Sequence, residues 1–216
     1  MALANVGMSG RRCGCAAGSH EPRFIVVTGG PGAGKTAVLE LARRLFCRHV
    51  RILPEAAGIV YGGGFPRSEN VSIRRAAQRA IYHVQTQLET IERDERRAAV
   101  VLCDRGTLDG AAYWPGEGQS FWADVGTTRE AQIQRYAGVI HLRTPAGHHG
   151  YDHSNPLRIE SPAEAAAIDA RIANAWESHP RRSVIGSDDD FMVKASRAIA
   201  CLLREVPDCC ARIAAG

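Results

Sequence analysis

Apolar residues fall along the chain in two alternating rhythms. Short unbroken runs, several rich in β-branched residues, occupy Arg23–Thr28, Val50–Leu53, Ala99–Cys103, Gly138–Leu142 and Ser183–Ile185. Strands buried on both faces of a parallel sheet take this form. Between the runs, apolar residues recur at three- and four-residue steps, as in amphipathic helices. One such segment covers Lys35 to Cys47, with Val38, Leu39, Leu41, Ala42 and Leu45 facing inward. The longest covers about Ser72 to Arg97, with Ile73, Ala77, Ala80, Ile81, Val84, Leu88 and Ile91 as its inner stripe. Short helices are predicted over 107–113 and 128–135. Ser161-Pro162-Ala163-Glu164 has the composition of a capping box and opens a helix to about Trp176. A last helix runs from about Phe191 to Glu205. Loops are expected at Gly29–Gly34, around Gly62-Gly63-Gly64 and Pro66, and from Pro145 to Pro156. Strands alternating with helices predict an α/β fold, a doubly wound five-stranded parallel sheet with helices on both faces. The domain is expected over 23–206, between a mobile N-terminal tail (1–22) and a C-terminal tail (207–216).

Composition narrows the classes. The 216 residues are 45% hydrophobic and 23% charged, a globular balance that excludes wholesale disorder. No stretch approaches the ~20 apolar residues of a membrane span, and MALANVGMSGRRCGC lacks the apolar core of a secretory signal. A net charge of +4 suits anionic ligands. The arginines are scattered rather than massed on one segment, so no nucleic-acid footprint is predicted. Seven cysteines include Cys13-x-Cys15 and Cys209-Cys210 but no C-x-x-C pair. That argues against zinc ribbons and thioredoxin-like chemistry, and for a reduced, cytoplasmic compartment. Nothing in the pattern specifies an oligomer.

The most specific chemistry lies between the first strand and the first helix. Gly29 to Thr36 reads G-G-P-G-A-G-K-T, a full match to the phosphate-binding loop G-x-x-x-x-G-K-[ST]. Glycines let backbone N–H groups turn inward around phosphate oxygens, and the helix N-terminus adds the positive end of its dipole. Gly30, Gly32, Ala33, Gly34, Lys35, Thr36 and Ala37 are the candidate nucleotide contacts. Lys35 would reach the β- and γ-phosphates, and the Thr36 hydroxyl would ligate Mg²⁺. The implied ligand is ATP or GTP with Mg²⁺.

Two acidic residues refine this reading. Asp104 ends the third strand in Val-Val-Leu-Cys-Asp-Arg, on the side of the sheet where ligands bind in open α/β folds. It is the second candidate for Mg²⁺, or else a cap for the helix after Gly106. The next residue is Arg105 rather than a water-activating acid, which suits a phosphotransferase whose guanidinium clamps phosphate or acceptor oxygens. Glu55, just past the second strand in Leu-Pro-Glu-Ala, faces the same crevice and could accept the proton of an acceptor hydroxyl; otherwise it simply begins a helix. No Asn-Lys-x-Asp occurs, which disfavours a switch GTPase.

Phe24–Thr36, Pro54-Glu55-Ala56, Cys103-Asp104-Arg105-Gly106, Ala112-Tyr113-Trp114 and His141-Leu142-Arg143 together resemble the AAA-type ATPase/kinase domain of NadR, a domain related to that of the TRPL translocation defect protein. The resemblance spans roughly 24–205. It implies a P-loop NTPase fold with a kinase-like lid and ribosylnicotinamide kinase as the group's known activity, with deoxynucleoside and thymidylate kinases as more distant relatives. In such kinases the segment after the fourth strand closes over the phosphates. Here it holds Arg143, Arg158 and Arg171. Arg158 is the candidate for transition-state charge, and Arg143 the candidate for nucleotide contact.

Other features are less specific. His148, His149 and His153 crowd with Asp152 in the Gly/Pro-bounded loop, where a polar lid is a better reading than a metal site. Tyr113, Trp114, Phe121 and Trp122 could wall an acceptor pocket or fill the core. Gln78, Tyr82 and Gln85 share a face of the long helix and could meet acceptor or water. The function expected is Mg²⁺-dependent transfer of a γ-phosphate to a hydroxyl of a small, nucleoside-like acceptor. The alternative is an ATP- or GTP-binding regulatory protein with slow hydrolysis and no acceptor.

Overall fold

The structure, a computed structural model, describes residues 19–116, 118–145, 161–187, 190–207 and 210. Five strands carry the fold: β1 (Arg23–Thr28), β2 (Val50–Leu53), β3 (Val100–Asp104), β4 (Gly138–Leu142) and β5 (Arg182–Ile185). They form one sheet in the order β2-β3-β1-β4-β5, and every pairing is parallel. All five carboxyl ends therefore point to one edge. The five runs read from the sequence are these strands to within a residue at each end.

Side chains of β1 alternate between two cores, as a two-residue period requires. Ile25 and Val27 pack with Val38, Leu39, Leu102 and Leu202, beneath helices α1 (Lys35–Leu45) and α8 (Phe191–Leu203). Phe24 and Val26 pack on the other face with Val101, Phe121, Ile172 and Trp176. That face is covered by α3 (Val71–Glu95), α4 (Asp109–Tyr113), α5 (Gly118–Asp124), α6 (Arg129–Ile133) and α7 (Pro162–Ala175). The capping box of α7 forms as expected: Glu164 N–H donates to Ser161 Oγ, and Ser161 N–H donates to Glu164 Oε2 at 2.7 Å.

Three features differ from the sequence expectation. A short helix α2 (Ala56–Gly62) follows β2 directly; only the alternative reading of Glu55 allowed for it, and its last residue, Gly62, read as loop. A Cβ on Gly58 or Gly62 would meet open space, so here glycine only weakens the helical signal. Helix α5 was hidden for another reason: Phe121 and Trp122 are buried in the core, and the short segment shows no periodicity. The third difference is the face that α3 buries. Ile91 of the apolar stripe is 52% exposed, whereas Gln78, Tyr82, Gln85, Glu89 and Glu92 are buried. The rotation brings Glu89 into a polar network. Its carboxylate accepts from Gln85 Nε2 at 3.0 Å, Tyr136 Oη at 2.7 Å and Arg135 Nε at 3.1 Å. Tyr136 Oη in turn accepts from the backbone N–H of Thr107 at 2.9 Å. A buried carboxylate is tolerated when its lone pairs are filled this way, and long-range partners then outweigh the helix's own apolar stripe.

The tails fall largely outside the described residues, as do Arg158, Asp152, the loop histidines and Cys13, Cys15 and Cys209. Within the expected N-terminal tail, His20 N–H donates to Arg96 O at 2.8 Å. Within the expected C-terminal tail, Cys210 is buried. Among the described residues no helix is long and apolar enough to cross a membrane.

The Glu89 network sets a stability test. Arg135→Ala leaves a fully buried carboxylate short of its main cation, with Arg93 still 3.9 Å away. The expected loss in urea unfolding is about 3 kcal/mol, the lower part of the range for breaking a buried pair.

Candidate active site

The phosphate-loop motif turns as its glycines permit. Gly29, Gly32 and Gly34 have φ of 139°, 75° and 91°, a region costly for residues with a Cβ. A Cβ on Gly29 would lie 2.0 Å from Leu142 O, so the loop depends on close approach of β4. Helix α1 starts at Lys35 and directs its N-terminus at the loop. The Lys35 ammonium is buried and donates to Gly29 O at 3.0 Å and Gly30 O at 3.1 Å. Burial, reinforced by the Arg105 charge, lowers its pKa to about 8.

The loop's other predicted contacts divide. Thr36 and Ala37 are exposed on the first turn of α1, and Gly32 and Gly34 are partly exposed. Ala33 is packed in the core. Gly30 N–H is turned into the protein, donating to Asp169 Oδ1 at 2.9 Å.

Asp104 and Glu55 stand at neighbouring strand ends. Neither caps a helix. Helix α4 starts at Asp109, beyond Asp104's reach as its cap, and Glu55, although at the N-cap position of α2, makes no capping bond. Asp104 Oδ1 is buried with no hydrogen-bond partner, and desolvation pushes its pKa upward. An orphaned carboxylate oxygen beside Lys35 and the loop is a donor that fits a hard cation such as Mg²⁺. Glu55 Oε1 instead accepts from Arg105 Nε at 2.6 Å. Burial would raise the Glu55 pKa, but the charges of Arg105 and Lys35 together hold it below the usual carboxylate value.

Arg105 joins these parts. Its backbone takes φ 73°, rare for a residue with a side chain. From there Nη1 donates to Gly29 O at 3.1 Å and lies 3.6 Å from Asp109 Oδ2. Asp109 was not foreseen from the sequence. It accepts from Thr28 Oγ1 at 2.7 Å and from Trp176 Nε1 at 2.5 Å. Asp169 was missed as well, although an acid on the apolar face of α7, between Ile168 and Ile172, was a usable signal. It receives Gly30 N–H, His141 Nε2 at 2.9 Å and Arg143 Nε at 3.0 Å. Arg143 is thus paired with α7 and lies outside the cleft walls. Arg171 does border the cleft while donating to Ala112 O at 2.8 Å.

The cleft occupies about 790 Å³ and runs from Lys35 and Thr36 past Glu55, Asp104 and Arg105. It continues to Tyr61, Arg67, Gln78, Tyr82, Gln85 and Tyr113. Of the four aromatic residues considered for a pocket wall, only Tyr113 lines it. Trp114, Phe121 and Trp122 are core, with ring centroids 5.3 Å and 4.9 Å apart in successive pairs.

Comparisons with known proteins agree with this architecture. No curated protein matches in sequence. A NadR structure in complex with NAD and AMP-PNP superposes with a TM-score of 0.58 at 13% identity, over 86% of this chain and 49% of that one. The chain therefore spans about half the length of that NadR. Deoxyadenosine kinase from M. mycoides, with dCMP and a flexible dCDP bound, superposes with a TM-score of 0.52 at 14% identity, over 83% of this chain and 98% of that one. At these identities the likeness establishes the fold alone, an α/β P-loop NTPase fold. The family model described as an AAA domain matches residues 24–191, and the chain belongs to that family.

Proposed function

We propose that this chain is a Mg²⁺-dependent phosphotransferase that moves the γ-phosphate of ATP or GTP to a hydroxyl of a small, nucleoside-like acceptor. The observation that carries the reading is the continuity of the cleft. The same cleft that the phosphate loop lines is also walled by Gln78, Gln85, Tyr82 and Tyr113, and Glu55 is on its wall. A protein that only bound nucleotide would need neither this added polar wall nor a carboxylate in the cleft. Amides of glutamine offer donor and acceptor together, which suits a sugar or base edge, and Tyr113 offers a ring face.

The roles follow from the charges. Lys35 and the helix N-terminus receive the phosphates. Thr36 and Asp104 would hold Mg²⁺, which supplies charge neutralisation across the phosphate oxygens. Arg105 positions Glu55 and braces the loop at Gly29. Glu55, ionised at neutral pH, accepts the acceptor's proton as its oxygen bonds to the γ-phosphorus and the bond to the β-phosphate oxygen breaks. Closure of the lid segment would deliver Arg158 or Arg171 to the transferring group.

Three measurements test this. Glu55→Gln keeps the shape of the side chain but cannot take a proton, so it should cut transfer at least ~10²-fold and leave nucleotide affinity nearly intact. The assay is product analysis with labelled ATP and GTP over a nucleoside panel. Parental transfer by the variant would remove Glu55 from the base role. Absence of any acceptor, with slow hydrolysis alone, would favour the regulatory alternative.

Asp104→Asn should abolish most of the affinity gain that Mg²⁺ gives to triphosphate, measured by calorimetry with and without the ion. Equal Mg²⁺ dependence in variant and parent would exclude Asp104 as an ion holder.

Lys35 sets a pH dependence. Its pKa near 8 in the free protein leaves much of it neutral above that pH, while a bound triphosphate favours the ammonium. Nucleotide binding should therefore take up a proton. Uptake grows from pH 7 to 9, and affinity falls as pH rises through 8. Calorimetry in buffers of different ionisation enthalpy measures this, and Lys35→Ala should lose both the uptake and at least tenfold in affinity, as expected for a charge-assisted contact of about 1.5–3 kcal/mol.

A further inference from the structure

We propose that Cys47, His49 and Cys210 form a zinc-binding site at the amino-terminal end of the sheet, which clips the C-terminal segment to the α1–β2 turn. The three residues offer two sulfurs and an imidazole nitrogen, all within 4.8 Å of one another, and all three side chains are buried. The site lies away from the nucleotide crevice. Cys47 and His49 precede β2, at the opposite end of the strand from Glu55, and Cys210 comes after α8.

The imidazole supplies the independent observation. His49 is 6% exposed, and its Nδ1 is buried without a hydrogen-bond partner. A buried ring nitrogen without a partner is costly, and a metal ion is a partner it can take. Ligation through Nδ1 places the ring hydrogen on Nε2. The contact of Nε2 with Arg48 Nε is 3.4 Å long, and it parts at small cost.

Donor chemistry selects the ion. Two thiolates and one imidazole suit Zn²⁺ among common divalent ions, in tetrahedral geometry. Around zinc such atoms stand about 3.3–3.8 Å apart, given metal–ligand lengths of about 2.0–2.3 Å, so binding draws the cluster together by about an ångström. The fourth position falls to water or to His20, whose ring centroid is 4.7 Å from that of His49. Local spacing concealed the site, because Cys47-x-His49 resembles no zinc motif and its third ligand arrives from the far end of the chain.

The test uses the full chain, reduced and stripped of metal, titrated with Zn²⁺ and separately with Co²⁺. About one equivalent should bind per chain, with thiolate-to-cobalt charge-transfer bands and tetrahedral d–d bands. Zn²⁺ should raise the melting temperature of the parent. Cys47→Ser and His49→Ala should each weaken binding at least tenfold and reduce that thermal shift, while His148→Ala with His149→Ala leaves the bands in place. Nucleotide affinity should stay within about twofold in Cys47→Ser, since the clip and the crevice lie at opposite ends of the strands. The cobalt spectrum of the parent decides the matter even if a variant folds poorly. Absence of thiolate bands, or bands that survive Cys47→Ser combined with Cys210→Ser, overturns the proposal. So does recovery of Cys47 and Cys210 as a disulfide in a chain that binds no zinc.

Discussion

A guanidinium taken out of water needs acceptors for its donors, and Arg105 finds them on three separate segments. Its Nε meets Glu55 at the end of β2, its Nη1 meets Gly29 O at the start of the phosphate loop, and Asp109 of α4 stands 3.6 Å away. The parallel sheet makes this possible. With β2, β3 and β1 adjacent and pointing one way, the residue after β3 sits between the ends of its two neighbours. The left-handed backbone at Arg105 is the local cost of aiming the side chain back across that gap, of order 1–3 kcal/mol for such strain. A planar fork serves here where a lysine would not, because the acceptors lie in different directions and must be met at once. The loop and the general-base candidate are consequently held to one guanidinium, and the metal candidate Asp104 is the residue next to it in the chain.

Charge balance within this group explains why its members behave differently. Lys35, Arg105, Glu55, Asp104 and Asp109 share a small volume. Glu55 is directly paired and stays ionised, while Asp104, with Oδ1 unpartnered, is pushed toward protonation. Lys35 loses hydration and feels Arg105, so its proton is held loosely. A triphosphate with its cation would correct both imbalances, since the anion favours Lys35 protonated and the cation favours Asp104 ionised. The crevice's own charges are thus unbalanced in the sense that a triphosphate and its cation would offset.

How much of this was legible depended on the range of the deciding interactions. The strands and the phosphate loop were readable because each is fixed within a few residues: a β-branched run, a glycine series, a helix start. Glu55, Asp104 and Arg105 were readable because parallel strands collect their carboxyl ends at one edge, so position relative to a strand sufficed to bring them together. The buried face of α3 was not. Glu89 is inward because Arg135 and Tyr136 await it, and no pattern within 71–95 announces partners more than 40 residues away. Trp114 and Phe121 show the same limit from the other side. Aromatic residues after a strand can line a pocket or fill a core, and only their neighbours decide.

Asp169 shows how α7 is tied to the loop. Its carboxylate binds Gly30 N–H, His141 and Arg143 together, so the first inward turn of the loop is spent on α7 rather than on a ligand. On the proposed function, phosphate recognition would fall to the later part of the loop, from Gly32 through Thr36, and to the N-terminus of α1. The same bonds couple motion. A shift of α7 would pull on Gly30, whose space is already tight: a Cβ there would stand 2.5 Å from Thr144 Oγ1 and 2.7 Å from Asp169 Cβ. Close packing transmits small displacements instead of absorbing them. A helix anchored this way can report on the loop, and the loop on the helix, without any further link between them.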